Sequence, residues 1–588
     1  MNAARLPVSS PDNRKLLKAE NIWRLSVRGG RENMEFKREV AMINEEKLWF
    51  ASTDGGEKIC LLPGMANRHG LVAGATGTGK TVTLKVLAES FSAMGVPVFM
   101  ADVKGDIASI MKAGSDSTDM QERISRFGLA DAGFSYQGCP VTFWDIYGKN
   151  GIQLRTTITE MGPLLLSRIL DLNDLQSNIL SIVFKIADDK ELLLIDTKDL
   201  KAMLNYVSEN HKEFEAEYGK MSPNSIAAIL RSVVALEIDG GETFFGETAL
   251  NISDWFSLGS DGKGMITVLD SESLINSPRL YSTFLLWLLS ELFETLPEVG
   301  DLEKPKMVFF FDEAHLLFKD ASKSLLEKIE QVVKLIRSKG VGVYFCTQNP
   351  RDIPDGVLAQ LGNKIEHALR AYTPADQKAV KAAAEALRSN PAFNTYETLM
   401  ALGTGEAVVS LLDEDGIPGI AQKVNILPPE CAFGAITQEE RESSIKGSLL
   451  YSKYANAVDP ESAYEFLKRK GLEDAAAAEK AKEEAAAAKE AEKAAAAEAK
   501  AAEKAAVAEA KAKEKAEAAE AKAAAKEAEK AAAQKKRVAK SVGSSVAGTV
   551  GREVGKSVGS QFGTFGKTLG GNLGASLGRG LLSTIFKL

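Results

Sequence analysis

From His69 to about residue 435, short uninterrupted apolar runs alternate with longer segments whose apolar residues return at helical spacing. The runs are HGLVAGA, VPVFMADV, VTFWDIY, GMITVLD, MVFFFDEA and VGVYFCTQ, with KIEHALRAY and GEAVVSLLD to complete a sheet. Runs without a polar alternate predict strands buried on both faces. Helical segments between them predict a mainly parallel sheet with helices on both faces, an α/β fold. TVTLKVLAESFSAMG predicts a helix closed by Gly95.

The pattern changes on either side of this series and once within it. Residues 1–64 hold two short strand-like runs, EKLWFAS and EKICLLP, around a turn at Asp54–Gly56, and predict a short β-rich lead-in to an ATPase-like domain over 65–435. Residues from about 155 to 260 read as a helical insertion, in which Ser222 followed by Pro223 suits an N-cap and first helical position. A helical connector is expected over 436–474. Residues 475–537 are almost only Ala, Glu and Lys. Such sequences form semi-rigid spacer helices or partly disordered linkers. They lack the Leu and Ile at a and d positions that a strong coiled coil needs.

Residues 538–588 form a Gly-rich apolar tail. Gly551, Gly555, Gly559 and Gly563 are in phase, as are Gly566, Gly570, Gly574 and Gly578 after a one-residue slip. On a helix this makes a smooth face of the kind that packs closely against a partner, so self-association or membrane contact is an expectation for the tail.

Composition narrows the classes. The 588 residues carry a formal net charge of −8, which argues against coating nucleic acid by bulk positive charge but leaves room for a local basic channel. The cysteines Cys60, Cys139, Cys346 and Cys431 are far apart and form no CxxC, so neither a disulfide framework nor a zinc site is expected. The first residues show no apolar signal-peptide core, and no apolar run reaches the roughly 18 residues of a membrane helix. A cytoplasmic protein, at most peripheral to the inner membrane, is expected.

Gly74-Ala75-Thr76-Gly77-Thr78-Gly79-Lys80-Thr81 supplies the chemistry. It has the G-x-x-x-x-G-K-[ST] spacing, preceded by a strand and followed by a helix. Glycines let backbone N–H groups turn toward phosphate, and the helix adds its positive end. Lys80 should reach the β/γ-phosphates of ATP, and Thr81 should ligate Mg²⁺. Asp312 closes the strand MVFFFDEA and is the expected second Mg²⁺ ligand. Glu313 follows it as the expected general base. Gln348 ends VGVYFCTQ, where it could contact the γ-phosphate and the attacking water. Arg337 and Arg370 are both candidates for a charge supplied to a neighbouring subunit's site. The alternatives are a helix-end charge for Arg337 and a sheet-edge salt bridge for Arg370. Asp102 ends another strand, and the turn Lys104-Gly105-Asp106 after it reads either as a coupling loop or as a plain turn.

GLVAGATGTGKTVTL, VFMADVKGDI, FFFDEAHLLF, LIRSKGVGVYFCTQNPRDIP and KIEHALRAYTP together resemble the bacterial HerA-like ATPases of the DUF853 type, over about residues 40–430. The resemblance implies a RecA-like core of the HerA/FtsK branch, a hexameric ring and translocation of double-stranded DNA. It implies nucleotide roles for Lys80, Thr81, Asp312, Glu313 and Gln348, and favours Arg337 as the residue acting in trans. The string Asp312–His315 spells DEAH, but no second RecA-like arginine motif accompanies it, so a DEAH-box helicase is not expected. The competing readings are an ATPase that moves or remodels protein, as in secretion and conjugation, and a tail-tethered assembly scaffold.

Overall fold

The computed structural model describes residues 42–318 and 323–531. The expectations for the Gly-rich tail lie outside them. The chain divides into two units, Met1–Ala476 and Ala477–Leu588.

The first unit is built on a mixed sheet. Its strands are β1 (Ile43–Asn44), β2 (Lys47–Ser52), β3 (Lys58–Leu61), β4 (Gly70–Ala73), β5 (Val98–Asp102), β6 (Val141–Asp145), β7 (Ile152–Gln153), β8 (Ile266–Asp270), β9 (Met307–Phe311), β10 (Val341–Thr347), β11 (Asn363–His367), β12 (Glu406–Ser410) and β13 (Gln422–Ile426). Their order is β1-β2-β13-β12-β11-β4-β10-β9-β5-β8-β6-β7, with β3 on β2. From β11 to β7 every pairing is parallel; from β11 through β12, β13 and β2 every pairing is antiparallel. The segment β11-β4-β10-β9-β5 is the strand order of a RecA-like P-loop core.

The parallel half is dry. Every residue of β4, β5, β8, β9 and β10 is buried, as expected for strands covered on both sides. Phe309 and Phe311 pack against Phe99, and Phe310 against Tyr344, filling the layers between sheet and helices with aromatic surface.

The sheet continues past the expected boundaries of the 65–435 segment. The strands of the lead-in do not stand apart: β2 pairs with β13, so the sheet runs across position 64. Leu48, Trp49 and Phe50 are buried with the core, and antiparallel pairing with β1, β3 and β13 satisfies backbone groups of β2. The segment after 435 also packs back. Arg441 pairs with Asp270 at 3.2 Å, and the Tyr454 ring meets Trp144.

Helices fill the interval from about 155 to 260. Thr157, Asn173 and Asp196 start three of them through reciprocal capping boxes with Glu160, Gln176 and Asp199. Ser222 occupies the expected cap before Pro223, but its side chain makes no capping bond. A helix spans Ala463–Ala531, and from residue 475 onward the residues whose burial is described are exposed. Among the described residues no helix is long and apolar enough to cross a membrane.

Candidate nucleotide site

Because β11, β4, β10, β9 and β5 are parallel, their C-terminal ends meet at one edge of the sheet, where ligands of such sheets bind. The loop Gly74–Thr81 leaves β4 at that edge and enters the helix Lys80–Ala93. Two bonds fix its start: Gly74 N–H donates to Thr347 O at 3.2 Å, and Ala75 N–H to Ala368 O at 2.8 Å. The loop is thus tied to the ends of both strands flanking β4.

Gly74 and Gly79 are required by conformation and by space. Gly74 has φ 152° and Gly79 φ 109°, outside the region open to other residues. A Cβ on Gly74 would lie 2.5 Å from the Cβ of His367, and one on Gly79 would lie 3.2 Å from Gly405 N. The tip, Thr76 and Gly77, is exposed. The loop is therefore supported from behind and open in front, which fits a polyphosphate.

Lys80 is 7 % exposed. Its ammonium donates to Gly74 O at 2.6 Å and Ala75 O at 3.0 Å, curled into its own loop. Burial lowers its pKa below 10.5, and Lys104 nearby adds to this. A phosphate would reverse both effects. Thr81 follows at the helix start and is half-buried.

Asp312 follows β9 and is buried. Burial first, and then the charge of Glu313, raise its carboxyl pKa above 3.8. A divalent cation would relieve that strain. Among the described residues no group of three His, Cys, Asp or Glu side chains forms a metal cage. This donor set suits Mg²⁺, which usually takes one or two carboxylates and fills its remaining positions with phosphates and water. Thr81 and Asp312 would hold it.

Glu313 has φ 49°, a strained backbone for a glutamate. Its side chain collects partners from three other elements. Lys104, in the loop after β5, pairs with Oε1 at 2.8 Å. The Gln348 amide at the end of β10 donates to Oε1 at 3.1 Å and Oε2 at 3.3 Å. His315 Nδ1 lies 3.3 Å from Oε2. Burial opposes ionisation, but His315, Lys104 and Gln348 outweigh it and hold the carboxyl at about 2. The Thr76 hydroxyl donates to Gln348 Oε1 at 3.3 Å, linking the loop tip to this group.

The structure thus brings Lys80, Asp312, Glu313 and Gln348 to one edge. It separates the arginines. Arg337 precedes the N-terminal end of β10, on the edge opposite the loop, 3.6 Å from Asp301. Arg370 follows β11 on the loop's own edge, but it makes no sheet-edge salt bridge. Instead its guanidinium donates to Met400 O at 3.0 Å and Leu402 O at 3.2 Å, because the helix Thr395–Ala401 ends there with carbonyls to satisfy.

Other residues of the site were not singled out by the sequence reading. His367 ends β11 fully buried, its Nδ1 3.0 Å from Glu406 O and its Nε2 2.9 Å from Thr83 Oγ1. The carbonyl can only accept, so Nδ1 carries the proton and Nε2 accepts from the Thr83 hydroxyl. Gly405 N–H donates to Thr78 O at 2.9 Å, clasping the loop from outside. The rule that singled out Gln348, a polar residue closing a buried strand, would also have found His367. Asp102 accepts from Gly105, Ile107 and Ala108 N–H groups, which makes the turn after β5 a rigid base for Lys104.

Residues 47–568 match the model of the family described as Helicase HerA-like C-terminal. A probable helicase of Methanocaldococcus jannaschii is 34 % identical over 120 residues, 20 % of this chain and 21 % of that one. The DNA double-strand break repair helicase HerA of Sulfurisphaera tokodaii is 24 % identical over 352 residues, 58 % of this chain and 62 % of that one. Among solved structures, the bacterial conjugative coupling protein TrwBdeltaN70 aligns with TM-score 0.43 and 13 % identity over 71 % of this chain and 93 % of that one. VirB4 of Thermoanaerobacter pseudethanolicus aligns with TM-score 0.43 and 16 % identity over 68 % and 99 %. The family model covers most of the sequence, including the loop, the carboxylate pair and the strands that carry them, and the chain belongs to the Helicase HerA-like C-terminal family.

Proposed function

We propose that this protein is a Mg²⁺-dependent ATPase that works as a hexameric motor on double-stranded DNA. The observation that carries the ATPase is the Glu313 carboxylate, held one residue beyond Asp312 by Lys104, His315 and Gln348, at the edge where Gly74–Thr81 opens. Lys80 and the loop N–H groups bind and orient the phosphates. Glu313 takes the proton of the attacking water, and Gln348 orients that water. Bound Mg²⁺ supplies charge neutralisation at the transferred phosphoryl group.

The oligomer is supported by Arg337. It lies on the far edge of its own sheet, so a neighbour's phosphates are the ones it can serve. Duplex DNA as substrate is supported by membership of the family and by likeness to a relative named as a DNA repair helicase.

The test is the ATPase rate with and without double-stranded DNA, run beside sizing of the complex. Stimulation that falls steeply with salt is expected. A rate indifferent to DNA removes the DNA motor, and a monomer at full activity removes the ring.

A further inference from the structure

In the arrangement described, the Oε1 atom of Glu313 is held by Lys104 and Gln348. A carboxylate offers about four lone-pair positions. Oε1 is taken by Lys104 at 2.8 Å and Gln348 at 3.1 Å. Oε2 accepts a longer bond from the same Gln348 amide at 3.3 Å, and His315 Nδ1 lies 3.3 Å from it. Oε1 is the more closely held oxygen, and it can receive a water proton only if Lys104 leaves it.

The partner built to leave is Lys104. Its side chain is 42 % exposed, whereas that of Glu313 is 6 % exposed. The backbone beneath it is fixed, because Asp102 accepts from Gly105 N–H at 2.8 Å, Ile107 N–H at 3.2 Å and Ala108 N–H at 3.0 Å. Only the four-carbon stem has to swing. Gln348 is exposed too, but it follows directly on β10 and its amide is also bonded to Thr76, and the His315 side chain, 33 % exposed, begins a helix. Lys104 also lies close enough to Lys80 for the two charges to repel. Its surroundings are acidic: Asp106, Asp312 and Glu313 all attract it. A γ-phosphate placed at Lys80 would bring about two negative charges into reach of Lys104's electrostatic interaction with Lys80, against the single charge of Glu313. At equal distance and dielectric the Coulomb attraction scales with that charge.

We propose that Lys104 is a second lysine of the nucleotide site: it leaves Glu313 for the γ-phosphate of bound ATP and so frees Glu313 for the attacking water. The step then balances. The water oxygen bonds to the γ-phosphorus, and the bond to the bridging oxygen breaks with its electron pair passing to ADP. One water proton goes to the Glu313 oxygen that Lys104 vacated. Lys104 thereby reports the γ-phosphate directly and distinguishes ATP from ADP. This rests on reading Glu313 as the base.

The experiment uses the full chain with Mg²⁺ and compares wild type, Lys104→Met, Lys104→Arg and Glu313→Gln. It measures affinity for ADP, affinity for a non-hydrolysable ATP analogue, and kcat. Lys104→Met is expected to weaken the analogue about tenfold or more, as for loss of a charge-assisted contact, to leave ADP within about twofold, and to lower kcat. Lys104→Arg is expected to restore much of the preference for the analogue. A Lys104→Met protein whose analogue-to-ADP affinity ratio matches wild type overturns the proposal, whether its kcat rises, falls or stays. Glu313→Gln separates the two levels. If it turns over at the wild-type rate, the reading of the base falls, and the affinity ratio still decides whether Lys104 touches the γ-phosphate.

Discussion

The Gln348 side-chain amide donates to both carboxylate oxygens of Glu313, at 3.1 and 3.3 Å. The two residues follow neighbouring strands, β10 and β9, whose register places Phe345 opposite Phe311. The Thr76 hydroxyl reaches the other end of the same amide at 3.3 Å. A continuous path of hydrogen bonds therefore runs from the loop tip to the proposed base.

Gln348→Ala cuts that path without removing a phosphate ligand. Its kcat for ATP is expected to fall by about 10² or more, with KM close to wild type, since removing one oriented donor from a catalytic site typically costs that much. Steady-state kinetics decides it, and a KM that rises in step with an unchanged kcat would assign Gln348 to binding instead.

Arg337 and Arg370 are expected to respond in opposite ways. Arg337→Ala loses only an exposed contact with Asp301 at 3.6 Å, so melting temperature should hold while ATPase of the assembled protein drops. Arg370→Ala strands the carbonyls of Met400 and Leu402 and should lower stability by roughly 1–2 kcal/mol. Thermal melts and ATPase rates on both variants distinguish the roles; the reverse pattern would exchange them.

Gly74→Ala places a Cβ 2.5 Å from the Cβ of buried His367 at φ 152°. Neither neighbour can yield, because Ala75 N–H is bonded to Ala368 O and His367 to Glu406 O. The strain of roughly 1–3 kcal/mol should displace the loop and abolish ATP binding in a chain that still folds. Calorimetric titration with ATP checks this, and wild-type affinity would refute the fit.

Two sets of buried groups give stability a pH optimum. Glu366 is 1 % exposed, and burial raises its carboxyl from 4.5 to about 8. Between those values the folded chain binds the extra proton, so stability falls as pH rises from about 4.5 to about 8, by an amount on the order of a few kcal/mol. His69 and His367 are held by burial at about 4, below 6.5. There the unfolded chain binds the extra protons, so stability falls as pH drops from about 6.5 to about 4. Glu366→Gln should melt above wild type by a margin that grows from pH 5 to pH 8; a constant margin would show that Glu366 does not titrate there.

Several features were legible because they depend on neighbours in sequence. The loop spacing and the apolar strands closed by Asp312 and Gln348 are local patterns, and a strand buried on both faces has no polar alternate to hide it. The antiparallel wing was harder to see. The pairing of β2 with β13 joins residues more than 370 positions apart, Ser52 with Asn425. Short runs such as KLWFAS carry no sign of which edge they will join.

The order of residues alone carries the signs of the chemistry: a glycine-rich loop between strand and helix, a carboxylate pair after a buried strand, and a polar strand terminus. Folding decided who touches whom. Lys104 and His315 became partners of Glu313, His367 became the wall behind Gly74, and Arg370 became a helix-end staple. The reason is geometric. A parallel sheet gathers the ends of strands distant in sequence onto one edge, and only there do their side chains come close enough for a charge or a hydrogen bond to act.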